Sequence, residues 1–500
     1  MTDLLAQLSP FEAPSIDWWA LVPQMILVGA ALVLLLVTSM SPKAIPAWFS
    51  TASSVLAAVA AFVVTVGLWY DVRDDGPRTT IADAFTVDGF SLYFGVLICV
   101  GIVATALLAD GYIKREAMAA PEFHALLLSS AAGAMVMASA NDLIVMFLGL
   151  ESLSIALYVL IAMHMRRPEA REAAMKYFVL GAFASAFLLY GIALVYGATG
   201  STNLTHISSY LDSVVLRDET ILMTGLALLL VGLAFKVAAA PFHFWAPDVY
   251  QGAPSPVTGY MASIAKAAGF AALLRIFVYT FAGSEVEWTP IVTGLAIVTL
   301  AVGAVMAITQ TDVKRMLAFS SISHAGFLLV AVQAASDGGT SAALFYLFAY
   351  TLMAIGSFAV VGLMGSDEGH AIGRYSGLAR SRPWMAFAFT VFLLAQAGVP
   401  LTSGFVAKFL VISESVNSRN YVLAAIAMFA AVISAFMYLR IVMAMYVGDD
   451  DSDKPGERPA IPKASAFVLA GAFLFTVIVG FIPQFLIEFS RDAVSMLVAG

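Results

Sequence analysis

Long apolar runs of about twenty residues, separated by short polar links, recur from residue 18 to residue 488. A helix needs about 20 consecutive apolar residues to cross the hydrocarbon core of a bilayer. The runs are continuous rather than alternating, so they predict membrane helices and not the strands of a barrel. About fourteen segments follow, near 18–39, 46–70, 89–110, 122–139, 142–164, 172–198, 220–240, 256–282, 289–309, 316–334, 341–364, 384–416, 421–447 and 465–488. Segment 12, at 384–416, is interrupted by Pro400, Thr402, Ser403 and Gly404, with Lys408 beyond, and reads as one discontinuous span. Segment 7 runs into Pro241 shortly after Lys236. The expected fold is an all-α polytopic membrane protein with discontinuous helices 7 and 12.

Composition supports this and narrows the chemistry. Of 500 residues, 61% are hydrophobic and 12% are charged, too apolar for a soluble chain that must cover itself with polar surface. The single cysteine, Cys99, sits in an apolar run and can form no intrachain disulfide. Iron–sulfur clusters normally take four thiolates, so none is expected here. The net charge of −8 does not suggest nucleic acid. The first apolar run is too long for a cleavable signal peptide and is preceded by acids. No metal-ligand spacing, phosphate loop, nucleophile motif or dinucleotide fingerprint is present.

Basic residues test the segment count. Odd-numbered links hold Lys43, Lys114, Arg115, Arg166, Arg167, Arg171, Lys314, Arg315, Arg374, Arg380, Arg382, Lys454, Arg458 and Lys463; even-numbered links hold Arg73, Arg78, Arg217 and Arg419. The positive-inside rule then places the odd links in the cytoplasm and both termini outside. The acidic run at 449–453 falls in an odd link and reads as a solvated linker.

An internal repeat is visible. A shift of 169 matches Ser152 to Ser321, Ser154 to Ser323, Ala173 to Ala342 and Tyr177 to Tyr346. A shift of 159 puts Pro241 on Pro400, and a shift of 165 puts Arg275-Ile276 on Arg440-Ile441. Segments 4–8 and 9–13 thus form two five-helix blocks. Five is odd, so the second block crosses the membrane in the opposite sense; inverted repeats with breaks at matching places are a transporter signature. The domains divide as an N-terminal three-helix part (1–120), a first repeat (121–284), a second repeat (285–448) and a linker with the last helix (449–500). The ionisable residues do not repeat: Glu151 becomes Ser320, Lys176 becomes Phe345, Lys236 becomes Ala395 and Lys266 becomes Ala431.

A charge at the bilayer centre costs roughly 2.5–3.5 kcal/mol on insertion scales, and such residues mark ion or proton routes. Glu151 lies nine residues past Asp142, about 14 Å deep at 1.5 Å per residue. Ser154 and Tyr158 continue its face. Lys236 is similarly deep, and Pro241 robs the Val237 carbonyl of its helical partner, a place for water or a protonated side chain. A lysine beside a glutamate that moves or is neutralised is a proton switch; the competing reading is a static ion pair tying helices together. Lys266 and Lys408 are buried candidates, with snorkelling to the interface as the alternative. Lys408 has no acid at i±3 or i±4. Arg275 and Arg440 lie toward helix ends, where snorkelling is the better reading. Lys176 is intermediate. His243 and His324 are candidate relays, because imidazole titrates near neutral pH, with a helix–helix hydrogen bond as the alternative. His124, His164, His206 and His370 are assigned no role.

The stretch FKVAAAPFHFWAPDVYQGAPSPVTGYMASIAKAAGFAAL at 235–273 resembles the signature of proton-pumping antiporter-like membrane subunits, and PFHFWAPDVYQGAPSPVT in particular resembles the subunit N family of bacterial NADH-quinone oxidoreductase (respiratory complex I). GVPLTSGFVAKF at 398–409 is similar to that family's broken twelfth helix. The resemblance implies a membrane-arm subunit that translocates protons, driven by electron transfer from NADH to quinone elsewhere in the complex. It implies that Glu151 and Lys236 form the coupling pair, Lys266 the central relay and Lys408 the terminal carrier, with Lys176 and His243 accessory to the axis. FMN, iron–sulfur clusters and quinone are then expected in other subunits, with no cofactor in this chain. Expected partners are neighbouring membrane-arm subunits, including other antiporter-like ones, and the lipid of a bacterial inner membrane. The alternative is a subunit of a multisubunit cation/proton antiporter or membrane-bound hydrogenase.

Overall fold

In hydrocarbon a backbone must satisfy its own hydrogen bonds, and this sequence does so almost wholly with helices. The computed structural model describes residues 15–40, 46, 48–164, 166–213, 219–364, 370–447 and 460–498. The acidic run at 449–453 and Lys43, Arg217, Lys454 and Arg458 lie outside them. The helices are α1 Trp18–Met40, α2 Trp48–Asp75, α3 Gly89–Glu116, α4 Ala120–Ser139, α5 Leu143–Ala162, α6 Pro168–Thr199, α7 Leu204–Ser213, α8 Thr220–Lys236 and α9 Trp245–Gly252. They continue with α10 Ser255–Thr280, α11 Glu285–Thr309, α12 Val313–Gln333, α13 Asp337–Leu363, α14 Pro383–Ala397, α15 Ser403–Asn417, α16 Tyr421–Val447, α17 Lys463–Phe481 and α18 Gln484–Ser495. Among the described residues, twelve helices are long and apolar enough to cross a membrane. Two shorter apolar helices, α8 and α14, each stop at a break and are followed by a second piece, α9 and α15.

The helix ends are set by ordinary capping chemistry. Asp142 accepts from the amides of Ile144 and Val145 at the start of α5, Asp88 and Ser91 form a capping box on α3, and Thr402 caps α15. Helices α4 and α5 cross at glycines: a Cβ on Gly133 would lie 2.6 Å from the amide nitrogen of Leu153, and one on Gly149 2.7 Å from that of Met137. This close approach fixes the helix that bears Glu151.

Helices α10 and α13 are enclosed on all sides, whereas α1 and α6 leave most of their surface uncovered. The innermost helix is also irregular. In α10, π-helical turns span Met261–Ala265 and Leu274–Thr280, so Lys266 begins the α-helical stretch between them. Such turns recur at functional positions in helices.

Five features depart from the sequence expectation. A small hairpin, β1 Arg78–Thr80 with β2 Phe85–Val87, precedes α3, and helix α7 lies between α6 and α8. The last apolar segment ends at Phe481 and not at 488; Pro483 starts a separate amphipathic helix, α18. Arg275 does not snorkel. It makes a two-pronged ion pair with Asp88 at 3.0 and 3.1 Å and donates to the Ala138 carbonyl, and both side chains are almost wholly buried. Arg440 donates to the carbonyls of Ile308 and Gln310, closing the C-terminal end of α11. Both arginines have found protein acceptors nearby, which removes the reason to reach for the interface.

Candidate functional site

At each break, side chains from elsewhere in the bundle take up backbone groups. At the first, the Ala240 amide donates to Thr299 Oγ1 on α11 at 2.9 Å, and Trp245 Nε1 donates to the Phe235 carbonyl at 3.0 Å. At the second, Gly398 is left-handed at φ +91°, and the Ala397 carbonyl accepts from Lys408 Nζ at 2.9 Å. A lysine therefore flanks each break, Lys236 just before the first and Lys408 on the helix that follows the second.

Lys236 is buried and donates to Ser154 Oγ on α5 at 2.8 Å, with Tyr177 OH on α6 at 3.4 Å. Glu151, half-buried on α5, accepts a short hydrogen bond from Ser185 on α6. No ion pair joins Glu151 to Lys236 among the described residues. Ser154, one turn beyond Glu151, takes the Lys236 ammonium and itself donates to the Leu150 carbonyl at 2.6 Å. The expected pair is thus two charges on neighbouring helices separated by hydroxyls, and not a static bridge in this conformation. A small cleft between α5, α6 and α8 is lined by Lys236, Ser154, Tyr158, Tyr177 and Ser185, the last of which bonds Glu151.

Lys266 lies deeper, on α10. Its Nζ donates to the carbonyl of Ser321 and to Ser321 Oγ, the latter at 2.5 Å, and sits 5.6 Å from the centre of the Tyr350 ring. One turn along α12, His324 is held at both ring nitrogens: Nδ1 is 2.6 Å from Tyr346 OH on α13, and Nε2 is 3.2 Å from Tyr438 OH on α16. Its ring lies against Tyr350 as well, 4.6 Å between centres. Tyr350 thus touches both Lys266 and His324. Beyond His324, Lys408 lies over the Phe327 ring at 4.8 Å. Lys266, His324 and Lys408 consequently all border one helix, α12, in that order along it.

Two candidates fall elsewhere. Lys176 is at the rim: its side chain is 42% exposed and is paired to Glu172 and Asp248, both at 2.7 Å. Arg315 pairs with the other Asp248 oxygen at 2.6 Å, so Asp248 joins α6, α9 and α12 beside an open cleft. His243 is buried in the first break, stacked on Phe244, and its Nδ1 has no hydrogen-bond partner among the described residues.

Several contributors escape a reading of the sequence. Lys314 falls in a link by hydropathy, yet it is fully buried and donates to the Ala253 carbonyl at 2.6 Å. Tyr438 and Tyr350 carry no signal of their own, and Ser321 has only its match to Ser152 under the shift of 169. The same shift pairs Tyr177 and Tyr346. Each touches the basic side chain of its own block, Lys236 and His324.

Among the described residues, no cluster of three or more histidine, cysteine or acidic side chains suits a metal ion. The arrangement offers instead a line of hydroxyls and bases through the bundle interior, groups of the kind along which protons pass.

The family model described as "NADH:quinone oxidoreductase/Mrp antiporter, TM" matches residues 140–434. NADH-quinone oxidoreductase subunit N of Trichlorobacter lovleyi is 38% identical over 479 residues, covering 95% of this chain and 97% of that one. A chain of respiratory complex I from Thermus thermophilus superposes with a TM-score of 0.78 at 33% identity, over 93% of this chain and 98% of that one. A chain of the Mrp complex from Dietzia sp. reaches a TM-score of 0.85 at 21% identity, over 96% and 97%, a likeness of fold alone.

Proposed function

Because the chain belongs to the NADH-quinone oxidoreductase subunit N family, we propose that the line of bases from Lys236 to Lys408 is the path by which it moves protons. The chain is a multi-pass, proton-translocating membrane-arm subunit of NADH:quinone oxidoreductase, and its partners are the other membrane-arm subunits. The observation that carries the path is that Lys266 and His324, which share Tyr350, follow one another along one helix, with Lys408 a turn further on against Phe327.

Electron transfer from NADH to quinone takes place on FMN, iron–sulfur clusters and quinone in other subunits, and supplies the drive. Glu151 and Lys236 receive it. Lys236 holds its proton while Glu151 is charged and passes it on when Glu151 is neutralised or drawn away. Ser154 and Tyr177 keep the ammonium group placed meanwhile. Lys266 relays the proton to His324, and Lys408 delivers it to the far side. Lys176, paired at the rim, acts on the entry side, and His243 borders the axis at the first break. Counting each broken helix once, the chain crosses the membrane fourteen times in two inverted five-helix repeats, with both termini outside.

The test of the path is proton pumping and NADH oxidation measured together in membranes bearing Lys266→Ala, with recovery of the complex checked in parallel. Both rates fall together if Lys266 is an obligatory relay; unchanged pumping in the assembled complex removes it from the path. Reporter fusions after Asp74, Pro168, Pro455 and Gly500 should read outside, inside, inside and outside. A cytoplasmic reading at Gly500 would mean that the 384–416 segment crosses twice or not at all. Purifying the native complex and identifying its other subunits separates this reading from a cation/proton antiporter, because the antiporter would come without NADH-oxidising partners.

A further inference from the structure

The two breaks are built alike and held differently. Under the shift of 169, Glu151 falls on Ser320; under the shift of 159, Lys236-Val237 falls on Ala395-Gln396. Where the first block carries an acid, the second carries a hydroxyl, and one residue past the place of the base it carries an amide. The structure brings these two together. Ser320 Oγ lies 3.4 Å from Gln396 Oε1, and Gln396 Nε2 lies 2.7 Å from Ser357 Oγ on α13. Gln396 is 2% exposed and immediately precedes Ala397, whose carbonyl holds Lys408. At its other end, Ser320 shares a short hydrogen bond with Tyr438, which reaches His324. One amide thus spans α12, α13 and α14 and ties the seat of Lys408 to the His324 relay. An amide offers a donor and an acceptor but takes up and gives off no proton near neutral pH.

We propose that Gln396, with Ser320 and Ser357, is a positioning residue: a neutral counterpart of the Glu151–Lys236 site that keeps the second break and the Tyr438–His324 relay in register for Lys408. Charge switching is then confined to the first block, and the second block conducts through a fixed frame. The inference rests on the proton-path reading above. The titratable groups around Gln396 are His324 from α12, Tyr346 and Tyr350 from α13, Lys408 from α15 and Tyr438 from α16. The carboxylates of α13 and α15, Asp337 and Glu414, stand toward the far ends of those helices. Arg440 of α16 is turned to the Ile308 carbonyl, and α17 brings Lys463 alone, at its first residue.

The experiment compares Gln396→Glu, Gln396→Leu and Ser357→Ala in the whole complex, reading NADH-driven proton pumping against pH in membrane vesicles. A protonated glutamate makes the same two hydrogen bonds as glutamine. Gln396→Glu should therefore pump near the wild-type rate at the lowest pH. Its rate should fall away from the wild-type profile as pH rises, because the ionised carboxylate loses its donor to Ser357. Gln396→Leu fills the space without the hydrogen bonds and should pump about fivefold more slowly at every pH, and Ser357→Ala should show a smaller loss in the same direction. Wild-type pumping by Gln396→Leu, or a wild-type pH profile for Gln396→Glu, overturns the proposal. If the leucine variant is not recovered, the glutamate profile decides. Lys408→Met, measured alongside, separates the two ideas. Normal pumping there sinks the path itself, whereas impaired Lys408→Met with normal Gln396 variants sinks only the positioning role.

Discussion

Lys236 leaves its own broken helix to reach a serine on α5, whereas Lys408 reaches back to the carbonyl that its own break has freed. The first lysine has a carboxylate nearby across a serine; among the described residues, the second has none. A base tied to a neighbouring helix and facing an acid can be driven by moving that acid. A base seated on a fixed carbonyl can only receive and release. On the proposed path, the first break is where coupling enters and the second is where protons leave.

The matched arginines offer the harshest way to test whether the two blocks differ. Arg275 and Arg440 correspond in register, yet Arg275 is in a buried ion pair and Arg440 caps a helix. Breaking a buried pair leaves a charge uncompensated and costs roughly 3–5 kcal/mol. Arg275→Ala should therefore remove the subunit from the assembled complex, with complex recovery from membranes as the measurement. Arg440→Ala forfeits hydrogen bonds to two carbonyls, on the order of 1–2 kcal/mol, and the complex should still be recovered.

Next in size is loss of the coupling base. Lys236→Ala should slow pumping and NADH oxidation together by about tenfold or more, as removing a placed proton donor does. Lys236→Arg should be milder, since the charge remains, though arginine does not give up its proton. Proton uptake and NADH oxidation recorded on the same vesicles provide the check.

Lys408→Met sharpens the contrast from the other side. It strands one carbonyl and no charge, about 1–3 kcal/mol at most, so the complex should assemble while pumping is impaired. Failure to assemble, or normal pumping, would take the carrier role away from Lys408. The smallest effect is expected at Lys176. Its ion pairs are partly exposed, worth ~1 kcal/mol or less, and Lys176→Ala should lower the pumping rate modestly without altering recovery.

Much of this is legible in the sequence because membrane helices are long and apolar, and because proline breaks them. Lys236, Lys266 and Lys408 stand out as charges where charge is costly. Their partners do not. Lys266 is held by Ser321, 55 residues away, and serine is common in packed membrane helices. The Asp88–Arg275 pair spans 187 residues and joins two helix ends that look free to reach the interface. The π turns around Lys266 leave no compositional mark. Strands of three residues and the amphipathic helices α7 and α18 are too short for a hydropathy window.

Glu151 and Lys236 are proposed to act as one unit although no direct bond joins them, and everything downstream on the path depends on that. A double-mutant cycle on pumping rate tests it most directly, with Glu151→Gln, Lys236→Ala and the two combined in assembled complexes. Residues that act as a unit are strongly non-additive. The double variant should therefore pump no more slowly than the worse of the two single variants. Losses that multiply, each substitution taking its own full share, would contradict the coupling role of the pair.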